Sequence, residues 1–326
     1  MPVAQTVETH AIHAGGMEPA AALLPDTLPT ERLTEGGRPK APLRDELRRI
    51  PNVRNAFNVA SVWLQSFGVI AIAIWLHNPF VWIAAYFLIG RSFALYAILA
   101  HESAHRLLFS KKSVNDFVGR WLVGYPAFVP LDIYRRGHMA HHRDEFGPDE
   151  PDLGLYANYP ISRASFRRKL LRDAFFVSGW KNLKPLLMAV TKRESRPLAL
   201  RILGVQAAIA IVLTVAGAWW VYPLFWLAPW MSVWRVINRL RAVAEHGGME
   251  RSDDRRRTTH HVEQHWLARF WMVPFNTGWH LAHHVDSGIP FQHLPQLHRE
   301  LVEAGWVTPE ITYPNYRALW RALSSG

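Results

Sequence analysis

A chain of 326 residues without a single cysteine forms no disulfides, thiolate sites or iron–sulfur clusters, so any metal must be held by His, Asp, Glu or Asn. Its composition, 49% hydrophobic with 15 Trp and 16 Phe, is rich for a soluble protein and ordinary for a membrane one. The formal charge of +11 falls in blocks between apolar runs rather than in one stripe interleaved with aromatics. That arrangement argues against nucleic-acid binding and matches the positive-inside pattern of a polytopic membrane protein facing anionic headgroups.

Residues 1–40 are rich in Ala, Pro, Thr and Gly with scattered acids and no apolar signal core, which predicts a disordered tail over 1–50. His10 and His13 fall in that tail and His77 in a turn, and none of the three is assigned a role. Apolar runs at 59–76 and 80–100, joined by Leu76-His77-Asn78-Pro79, each approach the ~20 residues a helix needs to cross a bilayer. Arg91 is the one charge inside this hairpin, and the sequence leaves open whether it snorkels, pairs or marks a kink. The basic block 101–200 contains an apolar stretch, 121–131, too short to span, which lies at the interface or dips in. A second pair of runs follows at 202–221 and 223–237. Both hairpin turns lack Lys and Arg, whereas the three other regions carry many. The expected fold is therefore all-α and polytopic: four transmembrane helices in two hairpins, with both termini and a helical cap on the cytoplasmic side. The membrane domain would cover 51–305, leaving 306–326 as a C-terminal tail.

Histidines carry the chemistry. His101 and His105 form an H-x-x-x-H at the end of the second run; His138, His141 and His142 form an H-x-x-H-H, as do His280, His283 and His284. On a helix these spacings project the imidazoles to one side, and neutral imidazoles suit iron, zinc or copper. With 17 His in the chain, chance gives an H-x-x-x-H roughly once but an H-x-x-H-H only about 0.05 times. Eight such ligands are too many for one tetrahedral ion and match two metals. His261 and His265 repeat the weak spacing; with His260 they read as a solvated surface, the alternative being support of the metal ligands, and the run Arg255–Arg257 before them reads as a membrane-facing or solvated basic face. Docking of an acidic electron carrier is the other reading of that basic run, and His298 reads as structural. HESAH also fits the zincin pattern of a metallopeptidase, but this leaves both H-x-x-H-H groups unexplained.

HESAH, YRRGHMAHH followed by DEPDL, and NTGWHLAHH followed by GIPFQHLPQLH together resemble the three histidine boxes of the membrane fatty acid desaturase superfamily, over about residues 55–305. Ala244-Glu245-His246-Gly247 stands where the family carries a further metal-binding His, as in its ceramide-type and bacterial acyl-lipid branches. The resemblance implies a non-haem di-iron centre using dioxygen. His101, His105, His138, His142 and His283 would share one iron, and His141, His246, His280 and His284 the other. Glu102, Asp152, Glu245 and Asp286 are candidate acceptors for imidazole N–H groups. The implied reaction is desaturation of an acyl chain in a lipid or thioester. The alternatives are hydroxylation, desaturation of a small non-lipid metabolite, and a non-catalytic lipid-binding or metal-storing role. Without cysteines or a visible haem domain, electrons are expected from a separate ferredoxin or cytochrome b5-type partner with its reductase.

Overall fold

A computed structural model describes residues 14–148 and 150–326, so His10, His13 and the first part of the expected tail lie outside the described residues. The chain is mostly helical, and its one pair of strands among the described residues is two residues long on each side.

Among the described residues, three helices are long and apolar enough to cross a membrane. The first, α1 (Asn52–Leu76), ends at His77 in the left-handed region. Asn78 then caps α2 (Pro79–Ala104), accepting from Phe80 N–H at 2.9 Å, with Pro79 at the first helical position where no amide donor is needed. The apolar window of α2 is 61% buried against 28% for α1, which makes α2 the central helix. Arg91 sits inside it and is paired: Nε donates to Phe270 O at 2.6 Å, Nη1 to Gln65 Oε1 at 3.1 Å, and the guanidinium lies 4.0 Å from the Phe270 ring centroid.

After α2 the short apolar stretch dips among the long helices as a π-helical turn over Gly119–Gly124 and a 3-10 turn over Tyr125–Ala127. Irregular backbone at this depth needs partners, and three side chains supply them. Trp63 Nε1 donates to Leu122 O, Gln206 Nε2 to Tyr125 O, and Trp230 Nε1 to Ala127 O. Helices α3 (Leu131–Arg143), α4 (Arg163–Ala174) and α5 (Val177–Ala189) lead to the third long helix, α6 (Arg196–Ala216).

The run expected as a fourth span, 223–237, is not one helix. Pro223 and Pro229 each remove an amide donor. The chain adopts π geometry over Pro223–Leu227, one turn over Ala228–Met231, a break at Ser232, and then α7 (Val233–His246). Two glycines let neighbours approach. A Cβ on Gly90 would strike Val233, where α7 crosses α2, and one on Gly179 would strike the Met231 backbone, where α5 meets the break.

The described part of the expected N-terminal tail and the expected C-terminal tail both pack against the rest of the chain. Residues 14–50 pack on later parts of the chain: Gly15 and Met17 amides donate to Met249 and Gly248 carbonyls at 2.8 Å, and Leu33, Leu43 and Leu47 are buried. Arg32 grips Glu300 with two bonds of 2.7 Å. At the other end, α8 (His280–Val285) and α9 (Leu294–Glu303) precede Thr312–Tyr313, which pairs in parallel with His261–Val262. The last helix, α10 (Tyr316–Leu323), buries Leu319 and Leu323. These contacts join segments distant in sequence, and the composition of either segment alone does not show them.

Candidate metal centre

The last turn of α2, one face of α3, the end of α7 and α8 converge, and each brings imidazoles. Four residues separate His101 from His105, His138 from His142 and His280 from His284, so each pair shares a helix face. His101, His138, His141, His246, His280, His283 and His284 are buried, and His105 and His142 are partly so. They fall into two groups. Ring nitrogens of His101, His105, His138, His142 and His283 lie within 4.8 Å of one another, and so do those of His141, His246 and His284. His280 joins the second group through its Nε2, 3.1 Å from that of His246 and 3.0 Å from that of His284.

The geometry fits cations shared by these rings. His105, His138, His142 and His283 form a chain of Nε2 atoms at 2.8, 3.1 and 3.0 Å. One ring N–H cannot point at two neighbours, yet His142 Nε2 faces both His138 and His283. Metal–imidazole bonds of ~2.0–2.1 Å set at right angles would place adjacent nitrogens about 2.9 Å apart. His101, beside them, has neither ring nitrogen hydrogen-bonded despite full burial. Such an orphaned imidazole is costly unless a cation takes its lone pair.

The outer nitrogens are held. His246 Nδ1 donates to Thr258 O at 2.8 Å, which leaves its Nε2 lone pair turned inward. His284 Nδ1 is bonded to Glu145, and His141 Nδ1 to Glu150, which also takes the Phe146 N–H and the Tyr156 hydroxyl. Burial holds the His138, His246, His280, His283 and His284 imidazoles well below their usual range, and His105 at about 3. All of these are therefore neutral at neutral pH, the form that ligates. His141 differs: burial pushes it down, but the Glu150 carboxylate with Glu145 and Asp152 together more than offset this and its pKa is raised.

Glu145 and Glu150 are the partners that the sequence did not single out, and the four carboxylates it did single out lie as follows. Glu245 stands 3.6 Å from His280 Nδ1 and is bonded to Arg241 at 2.6 Å. Asp152 lines the cavity next to His141. Glu102 accepts the Phe291 N–H at 3.0 Å, and Asp286 pairs with Arg48 at 2.8 Å, so neither is bonded to an imidazole.

The expected solvated surface after α7 is also corrected. His260 is buried and donates to Gly247 O at 2.7 Å; His261 is buried on Thr312 Oγ1 at 2.9 Å and stacks on His298. His265 alone of the three is exposed, with Nε2 donating to Pro314 O. The basic run turns inward. Arg255 pairs with Glu145 at 2.9 Å, Arg256 is buried against Asp254 and the Trp306 carbonyl, and Arg257 pairs with Glu250. Opposite carboxylates fixed by folding, invisible in the run itself, account for the difference.

A cavity of about 590 Å³ opens from His138, His141, His246 and His280 and continues between α3, α5, α6 and α7 over mostly apolar walls such as Leu186 and Ile202.

The profile of the family described as fatty acid desaturase matches residues 73–320. Dihydrorhizobitoxine desaturase of Bradyrhizobium elkanii is 25% identical over 217 residues, an alignment covering 59% of this chain and 60% of the relative's length. Two sn-1 oleoyl-lipid 12-desaturases align further. The Anabaena variabilis protein is 22% identical over 82% of this chain and 83% of its own. A Synechocystis protein is 24% identical over 86% of this chain and 88% of its own.

Proposed function

The chain belongs to the fatty acid desaturase family, and from that premise we propose that it is a dioxygen-dependent membrane desaturase placing a double bond in the acyl chain of a lipid or thioester. The observation that carries this reading is the opening of two imidazole clusters onto one largely apolar cavity. His101, His105, His138, His142 and His283 would hold one iron; His141, His246, His280 and His284 would hold the other. Bound there, the irons would supply what no side chain can, the activation of dioxygen against an unactivated methylene.

The remaining work falls to the chain's own groups. Glu145, Glu150 and the Thr258 carbonyl hold Nδ1 protons outward so that Nε2 lone pairs converge. Ala97, Ala100 and Ala127 keep the cavity wall low where a substrate chain passes, and Leu186 and Ile202 keep water away from it. Four passages through the membrane, made by α1, α2, α6 and the broken segment leading into α7, would put every histidine cluster and both termini on the cytoplasmic side. The distribution of Lys and Arg supports that orientation. Electrons would come from a separate ferredoxin or cytochrome b5-type protein, because the chain has no cysteine for a cluster of its own.

The test is expression in a bacterial host with defined lipids, followed by chromatography of the acyl chains. A new double bond that disappears in His141→Ala supports the reading. A hydroxylated chain would move the assignment to the hydroxylase branch, and an unchanged lipid profile with a competent electron donor would refute it.

A further inference from the structure

The cavity has a polarity that the metal clusters do not explain. It follows one face of α7 from His246 past Ala242 and Asn238 to Arg235, positions three or four residues apart. At ~1.5 Å per residue, Arg235 lies about 16 Å from His246 along the helix.

Arg235 is unlike the other arginines of α7. Arg239 is bonded through both prongs to Asp173, and Arg241 to Glu245. Arg235 donates Nε to Trp230 O at 3.0 Å, and its guanidinium lies 4.3 Å from the Trp230 ring centroid. Among the described residues no carboxylate lies within the 4.0 Å of an ion pair with it. Asp173 acts on it only from beyond that distance and is already bonded through both oxygens to Arg239, and a cation on an apolar cavity wall without a direct ion-pair partner calls for an anion. The carboxylates that line the cavity, Asp152 and Glu245, stand at the opposite end beside the imidazoles, and Arg241, the cation at that end, is already paired with Glu245.

We propose that the substrate carries an oxyanion head, a carboxylate or a phosphodiester, that sits on Arg235, with its acyl chain laid along α7 toward the imidazoles. Carbon–carbon bonds near ~1.5 Å advance an extended chain by about 1.25 Å each, so about a dozen carbons separate the head from the reacting bond. The proposal names the substrate class of the site and rests on the desaturase reading for the reaction, though not for the binding.

The experiment is equilibrium binding to the purified full-length protein in neutral detergent, without an electron donor so that nothing turns over. The probes are radiolabelled oleate, dioleoylphosphatidylglycerol and methyl oleate. Arg235→Gln is expected to bind at least one anionic probe roughly ten-fold more weakly, with methyl oleate unchanged and Arg235→Lys recovering part of the loss. A loss confined to oleate identifies a free acid, and one confined to phosphatidylglycerol identifies a phospholipid head. Equal weakening of methyl oleate would show that Arg235 only packs Trp230, and would overturn the proposal. Unchanged binding of both anions, or no binding of either to the wild type, would do the same. A protein that binds as expected yet desaturates nothing would refute the function and leave this subsite standing.

Discussion

At the scale of single residues, the imidazoles are rigid because their outer nitrogens are fixed. Glu145 bonds His284, 139 positions away, and is itself braced by Arg255. Sequence spacing pointed instead to Asp286, which folding gives to Arg48, 238 positions away. The ligands were legible because i and i+4 are local relations, whereas their supports were not because they cross the fold. We expect Glu145→Ala and Glu150→Ala each to weaken metal retention by roughly 10–100-fold, read as iron left after dialysis against a graded chelator. A second residue-scale consequence concerns His260 and His261, held by burial at about 4 and about 3. Below the unfolded value of ~6.5 the unfolded chain takes up protons that these folded imidazoles refuse. Folding stability should therefore fall as pH drops from ~6.5 toward 4, by on the order of 1.4 kcal/mol per pH unit for each group. Thermal melts of metal-free protein between pH 7.5 and 5 measure this, and a melting temperature that rises on acidification would contradict it.

At the scale of elements, the first two expected spans lie in continuous helices, the third ends early at Ala216, and the fourth is broken. Hydropathy averages over a window and cannot see that Pro223 and Pro229 remove donors or that Ser232 leaves helical geometry, although both prolines stand in the sequence. The break matters for the site. It lets α5 close against Met231 through Gly179 while α7 carries Arg235 and His246 along the cavity. Gly179→Val would drive a branched side chain into the Met231 backbone, which cannot swing aside as a side chain can. The expected result is a loss of about 1–3 kcal/mol, visible as a lower melting temperature in detergent beside unaltered Gly204→Val, where a Cβ meets open space.

At the scale of the whole molecule, the histidine-bearing region is closed by segments that lie far apart in the sequence. Residues 14–50 bind it through Arg32–Glu300 and Arg48–Asp286, and α10 returns Trp320 to the Leu240 carbonyl. Composition marked the first segment as a tail because its few buried leucines are diluted among polar residues and find their partners only in the folded chain. What closes around the histidines decides the function, so the most direct measurement is the metal content of detergent-purified protein beside His141→Ala and His283→Ala, one from each cluster. A di-iron centre predicts about two irons per chain in the wild type and less in both variants. A single zinc per chain, insensitive to either change, would contradict it and leave His101, Glu102 and His105 as a zinc peptidase motif.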